Sequence, residues 1–263
     1  MVAVISEPLI HGEGTAEAVW LAWLKHRLGR PEPFTHWLPD TARLVVVAPH
    51  PDDEVLGCGA LLALHAARGG ESLIVAVTDG EASHREVGDD FTVHLNGTVM
   101  DEKELARVRR AERLTGMRQL DLSANQLVAL DLPDGLVAHH ESELARRLAS
   151  LLRPADVIVS PWRHDGHPDH DACGRAAARV SAATGTPLWE APIWMWHWAR
   201  PNDSRVPWMR LQAVSVSDSV RANKHAALSA HVSQLTPRSA THGAVLGSQI
   251  VARAKRPAEY FFV

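Results

Sequence analysis

Residues 44–54 read LVVVAPHPDDE and decide the fold of this chain. The first five are apolar, mostly β-branched and uninterrupted by polar residues, which is typical of a strand buried on both faces. The turn at 49–51 ends that strand. Acidic residues 52–54 then place negative charge on the first turn of an apolar helix that Gly69 and Gly70 end. The stretch therefore predicts one strand followed by one helix.

The same alternation of strand and helix recurs along the next hundred residues. Strand-like segments stand at 72–80, 127–135 and 156–161, and helical segments at 101–115, 136–152 and 171–183. Alternating strands and helices are typical of a parallel sheet with right-handed crossovers. We therefore expect an α/β fold: a doubly wound, mainly parallel, Rossmann-like sheet with helices on both faces.

The two ends of the chain add elements to this core. Helical spacing of Trp20, Leu21, Leu24 and Leu28 predicts an N-terminal helix over 15–30. Segments 192–198 (PIWMWHW) and 211–217 (LQAVSVS) look extended, and 220–232 looks helical. We expect a single domain over 1–263, with an N-terminal extension (1–35), a βα core (36–185) and C-terminal strands and a helix (186–263). Segment 83–100 lacks a clear period and is interpreted as a lid or a surface insertion.

Composition excludes several classes of protein. The chain is 46% hydrophobic and 22% charged with a net charge of −4, so a basic surface for nucleic acid is not expected. The sequence contains no run of eighteen apolar residues, so it predicts no membrane span. Two cysteines cannot build a disulfide scaffold, which favours a reducing, cytoplasmic location. An excess of histidine, 16 residues, indicates metal or proton chemistry.

Two loops that follow predicted strands carry the polar residues suited to such chemistry. One is residues 48–54, and the other is 162–171, WRHDGHPDHD. Crowded carboxylates repel one another unless a cation or proton compensates them. His50 and Asp53 could converge on one ion, with a third ligand from the other loop, and Asp52 could take a proton from water on the metal. Ligands of this type suit zinc, with Fe2+, Co2+ or Mn2+ as substitutes.

The paired motifs 49–54 (PHPDDE) and 165–170 (DGHPDH) resemble the PIG-L/LmbE-like zinc-dependent N-deacetylases, the N-acetylglucosaminyl deacetylase-like family. The resemblance runs along most of the chain from about residue 43. Shorter matches are TDGE at 78–81, Arg109 with Glu112, LPDG at 132–135, and Lys224 with HVSQ at 231–234.

This resemblance implies the LmbE-like fold and one Zn2+ per chain. It implies His50, Asp53 and His170 as zinc ligands and Asp52 as the general base. His167 would steady the oxyanion or protonate the leaving amine. The implied reaction is attack of an activated water on an amide carbonyl that zinc polarises.

Further residues are candidates for the pocket or for support of the ligands. The resemblance implies that Arg109 contacts substrate and that Asp134 orients His167. His164 and Asp165 lie in the ligand loop, Asp165 where some relatives have a tyrosine. In an extended segment Trp194, Trp196 and Trp198 would share one face, where these indoles could stack on a sugar or acyl group, or fill the core or a subunit contact.

The predicted function is hydrolysis of an N-acetyl or related N-acyl group on an amino sugar or glycoconjugate. The predicted partner is thus a small molecule, and the chain could form a homo-oligomer. Three alternatives are an amidase of the same family acting on a thiol conjugate, a non-catalytic carbohydrate-binding protein, and an all-helical His-Asp phosphohydrolase. The buried strand at 44–48 speaks against the last of these.

Overall fold

The computed structural model describes residues 12–27, 31, 38–39, 41–84, 93–95, 98–238 and 242–263. The strands are β1 Arg43–Ala48, β2 Ser72–Ala76, β3 Val93–Leu95, β4 Thr98–Met100, β5 Leu127–Ala129, β6 Asp156–Pro161, β7 Leu188–Ala191, β8 Leu211–Ser215 and β9 Ala258–Phe262. The α-helices are α1 Glu17–Arg27, α2 Asp53–Ala66, α3 Glu102–Gln119, α4 Glu141–Leu151, α5 Pro168–Thr184, α6 Met195–Trp198, α7 Asp218–Ser229, α8 Val232–Leu235 and α9 Ser248–Ala254.

Seven strands form one mixed sheet in the order β5-β2-β1-β6-β7-β9-β8. The first five of these are parallel, and β9 runs antiparallel to both β7 and β8. This confirms the predicted doubly wound sheet, in which the direction of winding changes at β1. The C-terminal strands extend the same sheet, whereas the subdivision at residues 35 and 185 stays a prediction.

Strand β1 is apolar throughout because each of its faces packs against a separate core. Leu44, Val46 and Ala48 belong to the core formed with α2 and α7. Val45 and Val47 belong to the core formed with α4 and α5. A strand with helices on both sides has no position that faces water, so alternation with polar residues disappears.

Helix α2 is interrupted near its first third, and a carboxylate from β9 stabilises the break. Cys58 has non-helical backbone angles (φ −150°, ψ 23°). Glu259 accepts hydrogen bonds from the backbone amides of Ala60 and Leu61 at 2.7 and 2.8 Å and from Lys224 Nζ at 2.6 Å. These contacts fix the helix that carries the acidic motif onto the C-terminal strand.

The N-terminal helix packs against the C-terminal part of the chain. The predicted helix over 15–30 is observed as Glu17–Arg27, and 28–30 lie outside the described residues. Trp20 is fully buried, and its indole nitrogen donates to the carbonyl of Trp196 at 2.7 Å. Glu17 accepts two hydrogen bonds from Arg256.

The prediction of an extended segment at 192–198 is wrong, because its second half forms the short helix α6. The Asp165 carboxylate accepts hydrogen bonds at 2.9 Å from the backbone amides of Ile193, Trp194 and Met195. In a strand these three backbone amides would donate to a neighbouring strand, but here they donate to the buried carboxylate of Asp165. A contact across 30 residues therefore overrides the alternating pattern of indoles.

Segment 83–100 contains a short hairpin formed by β3 and β4. Residues 85–92 and 96–97 lie outside the described residues, so the lid stays a prediction. The helices predicted at 101–115, 136–152, 171–183 and 220–232 are observed with shifted ends, and a 3-10 turn over Val137–His140 precedes α4. Within the described part of the chain, no helix combines the length and apolar character needed to cross a bilayer.

The buried carboxylate of Glu259 gives a test of this architecture. Glu259→Ala leaves the Lys224 ammonium buried without its partner, and we expect it to lower the free energy of unfolding by about 3–5 kcal/mol. Glu143→Ala is the control, because Glu143 is 39% exposed and pairs only at the surface with Arg147 and His140. It should cost less than about 1 kcal/mol. Urea denaturation measures both values, and equal losses would contradict the proposed importance of the β9 contact.

Candidate functional site

The candidate metal-binding and catalytic residues lie at the carboxyl ends of β1, β2 and β6. Because β1 lies between β2 and β6, the loop after β1 faces the loop after β6. The first loop carries His50 and the acidic residues at the start of α2, and the second carries the residues around the start of α5. This is the edge at which doubly wound sheets bind ligands.

His50, Asp53 and His170 offer one ligand atom each, and these atoms lie within 4.8 Å of one another. Asp53 Oδ2 is 3.1 Å from His50 Nδ1 and 3.2 Å from His170 Nε2. Two imidazoles and a carboxylate are ligands typical of catalytic zinc sites, which keep a fourth position open. A second group, His50, His167 and Asp169, satisfies the same distance criterion.

The surroundings of His170 test whether this cluster suits a cation. Its Nε2 atom is buried and has no hydrogen-bond partner among the described residues, although Asp53 is near. Its Nδ1 atom lies 2.9 Å from Asp165 Oδ2. A carboxylate behind one ring nitrogen and an unpartnered nitrogen in front are typical of an imidazole that binds a metal. The residues therefore fit a divalent cation.

Electrostatics support the same conclusion. Burial disfavours protonation of His170, but Asp53 and Asp165 outweigh it and raise its pKa to about 9. For His50, burial is likewise outweighed by Asp134 and its neighbours, so its pKa is well above the usual value. Burial opposes ionisation of Asp53, yet both histidines hold its pKa well below the usual value. The cluster thus retains positive charge, as protons, where a cation would sit.

Asp52 lies beside the cluster with a backbone conformation that is rare for a side-chain-bearing residue (φ +120°). It is 5% exposed and lines the main cavity. Burial and the neighbouring Asp53 raise its pKa to about 7, while Arg109 acts in the opposite direction. Strained backbone of this kind concentrates at functional sites. A carboxylate with this pKa can both accept and release a proton near neutrality.

Arg109 holds the turn that carries Asp52. Its guanidinium donates to the carbonyls of Gly80 and Pro51 at 2.6 and 2.8 Å and to Asp52 Oδ2 at 3.2 Å. The side chain lines the cavity but is only 2% exposed. Its contacts in this structure therefore position Asp52, in addition to any contact with substrate that the sequence suggested.

His167 is held as a neutral imidazole with a defined proton position. Its Nδ1 atom accepts a hydrogen bond from the backbone amide of Asp169 at 3.2 Å, which leaves the proton on Nε2. Burial and the charges of His50 and His170 lower its pKa to about 3. The ring lines the cavity, so it can donate a hydrogen bond there.

The remaining predicted residues divide into those near the cluster and those away from it. Asp134 contacts His50 rather than His167, with Oδ1 3.1 Å from His50 Nε2. Asp165 is fully buried and contacts His170. His164 is exposed and its ring packs against Trp162, and its role in support of the ligands stays a prediction. Trp196 packs in an aromatic cluster with Trp20, in agreement with the alternative in which it fills the core.

Asp169 received no role from the sequence, and Trp194 is one of the three indoles for which the sequence suggested stacking on a substrate. Asp169 lies 3.2 Å from His50 Nε2 and accepts hydrogen bonds from the amides of Gly135 and Val137 at 2.7 and 3.1 Å. Its position between His167 and His170 in one motif was the available signal. Trp194 lines the cavity, and its ring is stacked against that of His167 with 6.4 Å between the ring centroids.

The main cavity has a volume of about 390 Å3. His170 is fully buried, whereas His50, Asp52, Asp53 and His167 line the cavity. Its walls come from both ends of the chain, namely residues 12–13, 194, 197, 238 and 244–250. The N-terminal extension thus contributes to the cavity, and a small molecule of the size of a sugar derivative fits this volume.

Curated relatives and solved structures resemble this chain. A probable N-acetyl-alpha-D-glucosaminyl L-malate deacetylase 2 of Bacillus subtilis (strain 168) is 29% identical over 141 residues, which cover 52% of this chain and 59% of the relative. A 1D-myo-inositol 2-acetamido-2-deoxy-alpha-D-glucopyranoside deacetylase of Mycolicibacterium vanbaalenii is 30% identical, covering 60% of this chain and 59% of the relative. The chain thus spans about three fifths of the length of these relatives.

Solved structures support the fold. A conserved protein of Thermus thermophilus superposes with a TM-score of 0.56 at 27% identity, covering 84% of this chain and 93% of that one. The N,N'-diacetylchitobiose deacetylase of Pyrococcus horikoshii gives 0.54 at 20% identity, covering 84% and 80%, and shows likeness of fold alone. The family model described as PIG-L: GlcNAc-PI de-N-acetylase matches residues 45–181, more than half of the chain, so this protein belongs to the PIG-L family.

Proposed function

We propose that this protein is a zinc-dependent hydrolase that removes an N-acetyl, or related N-acyl, group from an amino sugar or sugar conjugate. One observation carries the proposal: His50, Asp53 and His170 converge on one point, beside Asp52 and His167, at the wall of the main cavity. The substrate class rests on the family description and on the relatives whose names specify acetylated glucosaminyl compounds. Fe2+, Co2+ or Mn2+ could replace zinc in such a site.

The chain's own residues divide the chemistry between them. His50, Asp53 and His170 would hold the cation, which supplies positive charge that polarises an amide carbonyl and lowers the pKa of water. Asp52 accepts the proton of the attacking water at its carboxylate and passes it to the departing amine. Its pKa of about 7 suits both transfers.

His167 stabilises the negative charge that develops on the carbonyl oxygen. Because its pKa lies near 3, the ring is neutral at physiological pH and has no excess proton to give. The Nε2 proton remains available as a hydrogen-bond donor. Between the two roles that the sequence left open, the structure supports stabilisation of the oxyanion over protonation of the amine.

The other candidate functions lack a supporting observation. The seven-stranded sheet is incompatible with an all-helical phosphohydrolase. A binding protein with a structural zinc would be expected to close the site with four ligands, often cysteines, whereas Cys58 and Cys173 are free and buried in helices outside the cluster. Free thiols also support a cytoplasmic location as part of this proposal.

Single substitutions should distinguish the residues that bind the metal from the residue that transfers the proton. Asp52→Asn keeps the size of the side chain but cannot accept a proton, so we expect about one metal per chain and a loss of at least about 100-fold in kcat. His170→Ala should lose the metal. Metal content by mass spectrometry and acetate release from N-acetylglucosamine conjugates measure these outcomes.

His164→Ala is the matched control, because His164 belongs to the same loop but is exposed. Its metal content and kcat should stay within about twofold of wild type. Full activity of Asp52→Asn would disprove the role of Asp52, and metal retained by His170→Ala would disprove the ligand set.

Metal affinity should rise with pH. In the metal-free protein His170 holds a proton up to about pH 9, and the pKa of His50 is also raised, whereas Asp53 stays ionised. Zinc must displace these protons, so its affinity falls as the pH falls, by about tenfold per pH unit for each proton displaced. Competition with a chelator between about pH 6 and pH 8 measures the slope. An affinity independent of pH would contradict this account of the cluster.

A further inference from the structure

One polar side chain on the wall of the main cavity has no part in the proposed chemistry. Gln249 lies on α9 and lines the cavity next to Ser248 and Ile250. The family model ends at residue 181, so the match assigns no function to this glutamine. The residue is partly exposed, which makes it accessible to a molecule bound in the cavity.

The N-terminal extension fixes one end of this side-chain amide. Gln249 Oε1 accepts a hydrogen bond from the backbone amide of Glu17 at 2.7 Å. That backbone amide belongs to the first turn of α1, where N–H groups have no acceptor within the helix. The contact also determines which way the side chain points, because an Nε2 atom in the place of Oε1 would set two donors against each other.

The other end of the amide presents hydrogen-bond donors. Gln249 Nε2 carries two N–H groups, and neither has an acceptor among the described residues. An amino sugar offers hydroxyl, ring and amide oxygens that can accept from such a group. A few polar groups placed in this way on a cavity wall fix the orientation of a bound ligand.

The N-terminal extension is itself anchored on both sides of this contact. The Glu17 carboxylate accepts hydrogen bonds of 2.7 and 2.6 Å from Arg256. Thr15 donates from its backbone amide to the carbonyl of His197 at 2.9 Å and from Oγ1 to the carbonyl of Ala199 at 2.6 Å. The backbone amide of residue 17 therefore has a fixed position.

We propose that Gln249 is a specificity-determining residue: its Nε2 atom donates a hydrogen bond to an oxygen of the amino-sugar substrate, and the N-terminal extension orients it. This inference rests on the proposed function, because it adds a contact to the same substrate. It also gives the extension, which precedes the family match, a role in substrate binding. A contact made equally before and during the reaction lowers KM and leaves kcat unchanged.

Two substitutions at Gln249 separate the donor from the contact with α1. Gln249→Glu keeps an oxygen for the amide of Glu17 but removes the Nε2 donor, whereas Gln249→Met removes both. With N,N'-diacetylchitobiose as substrate, we expect KM to rise about fivefold in both variants and kcat to stay within about twofold of wild type. Only Gln249→Met should lower the Tm, because only that variant loses the contact with α1. Gln119→Glu makes the same change at an exposed position on α3 and should alter neither KM nor Tm.

A pair of substitutions at residue 17 tests the part assigned to the extension. Glu17→Pro removes the amide hydrogen, and proline is tolerated at the first position of a helix. Glu17→Ala is the matched control, because it removes the same carboxylate but keeps the amide. KM should be about threefold higher in Glu17→Pro than in Glu17→Ala, since Gln249 is then free to rotate. Equal KM values would overturn the role of the extension.

Isothermal titration of N,N'-diacetylchitobiose into zinc-loaded Asp52→Asn protein keeps this inference apart from the proposed function. If the sugar binds there but the wild type releases no acetate, the proposed hydrolysis is wrong, and the Kd in the Asp52→Asn background still tests the variants of Gln249. An unchanged KM and Kd in Gln249→Glu would overturn the role of Gln249. An increase in Gln249→Glu without one in Gln249→Met would also overturn it, because repulsion by the new charge would then be the cause. If the sugar is neither bound nor cleaved, both proposals are overturned.

Discussion

Carboxylates and imidazoles crowd one edge of the sheet, and their charges determine which groups can lie beside them. Five buried aspartates, at positions 52, 53, 134, 165 and 169, surround His50 and His170. In a low-dielectric environment such groups repel one another unless positive charge lies between them. Protons supply that charge in the metal-free protein, and a divalent cation would replace them. The charge balance of the site would thus favour a metal bound there.

Backbone amides from three separate turns hold these carboxylates in place. Asp169 accepts from the turn at 135–137, Asp165 accepts from the start of α6, and Asp134 accepts from Ala82. Each acidic side chain thereby links the ligand loops to another segment of the cavity wall. Pre-organisation of this kind keeps the ligands oriented before substrate binds.

The sequence predicts those features that local periodicity and motif spacing control. The unbroken apolar strand β1 indicates helices on both sides of the sheet, and the residues around His50 and His170 indicate a metal site. It does not predict that Asp134 contacts His50, or that the amides of 193–195 bind Asp165, because both contacts join residues distant in the chain. A stripe of indoles does not tell which side chain faces the cavity: Trp194 lines it, whereas Trp196 packs in the aromatic cluster.

X-ray absorption spectroscopy at the zinc edge reports the ligands of the bound metal and so tests the proposed set of His50, Asp53 and His170. We expect scattering from two imidazoles at about 2.0–2.1 Å with the remaining ligands oxygen, and loss of one imidazole in a His50→Asn variant reconstituted with zinc. Sulfur scattering near about 2.3 Å, or a spectrum unchanged in that variant, would contradict it.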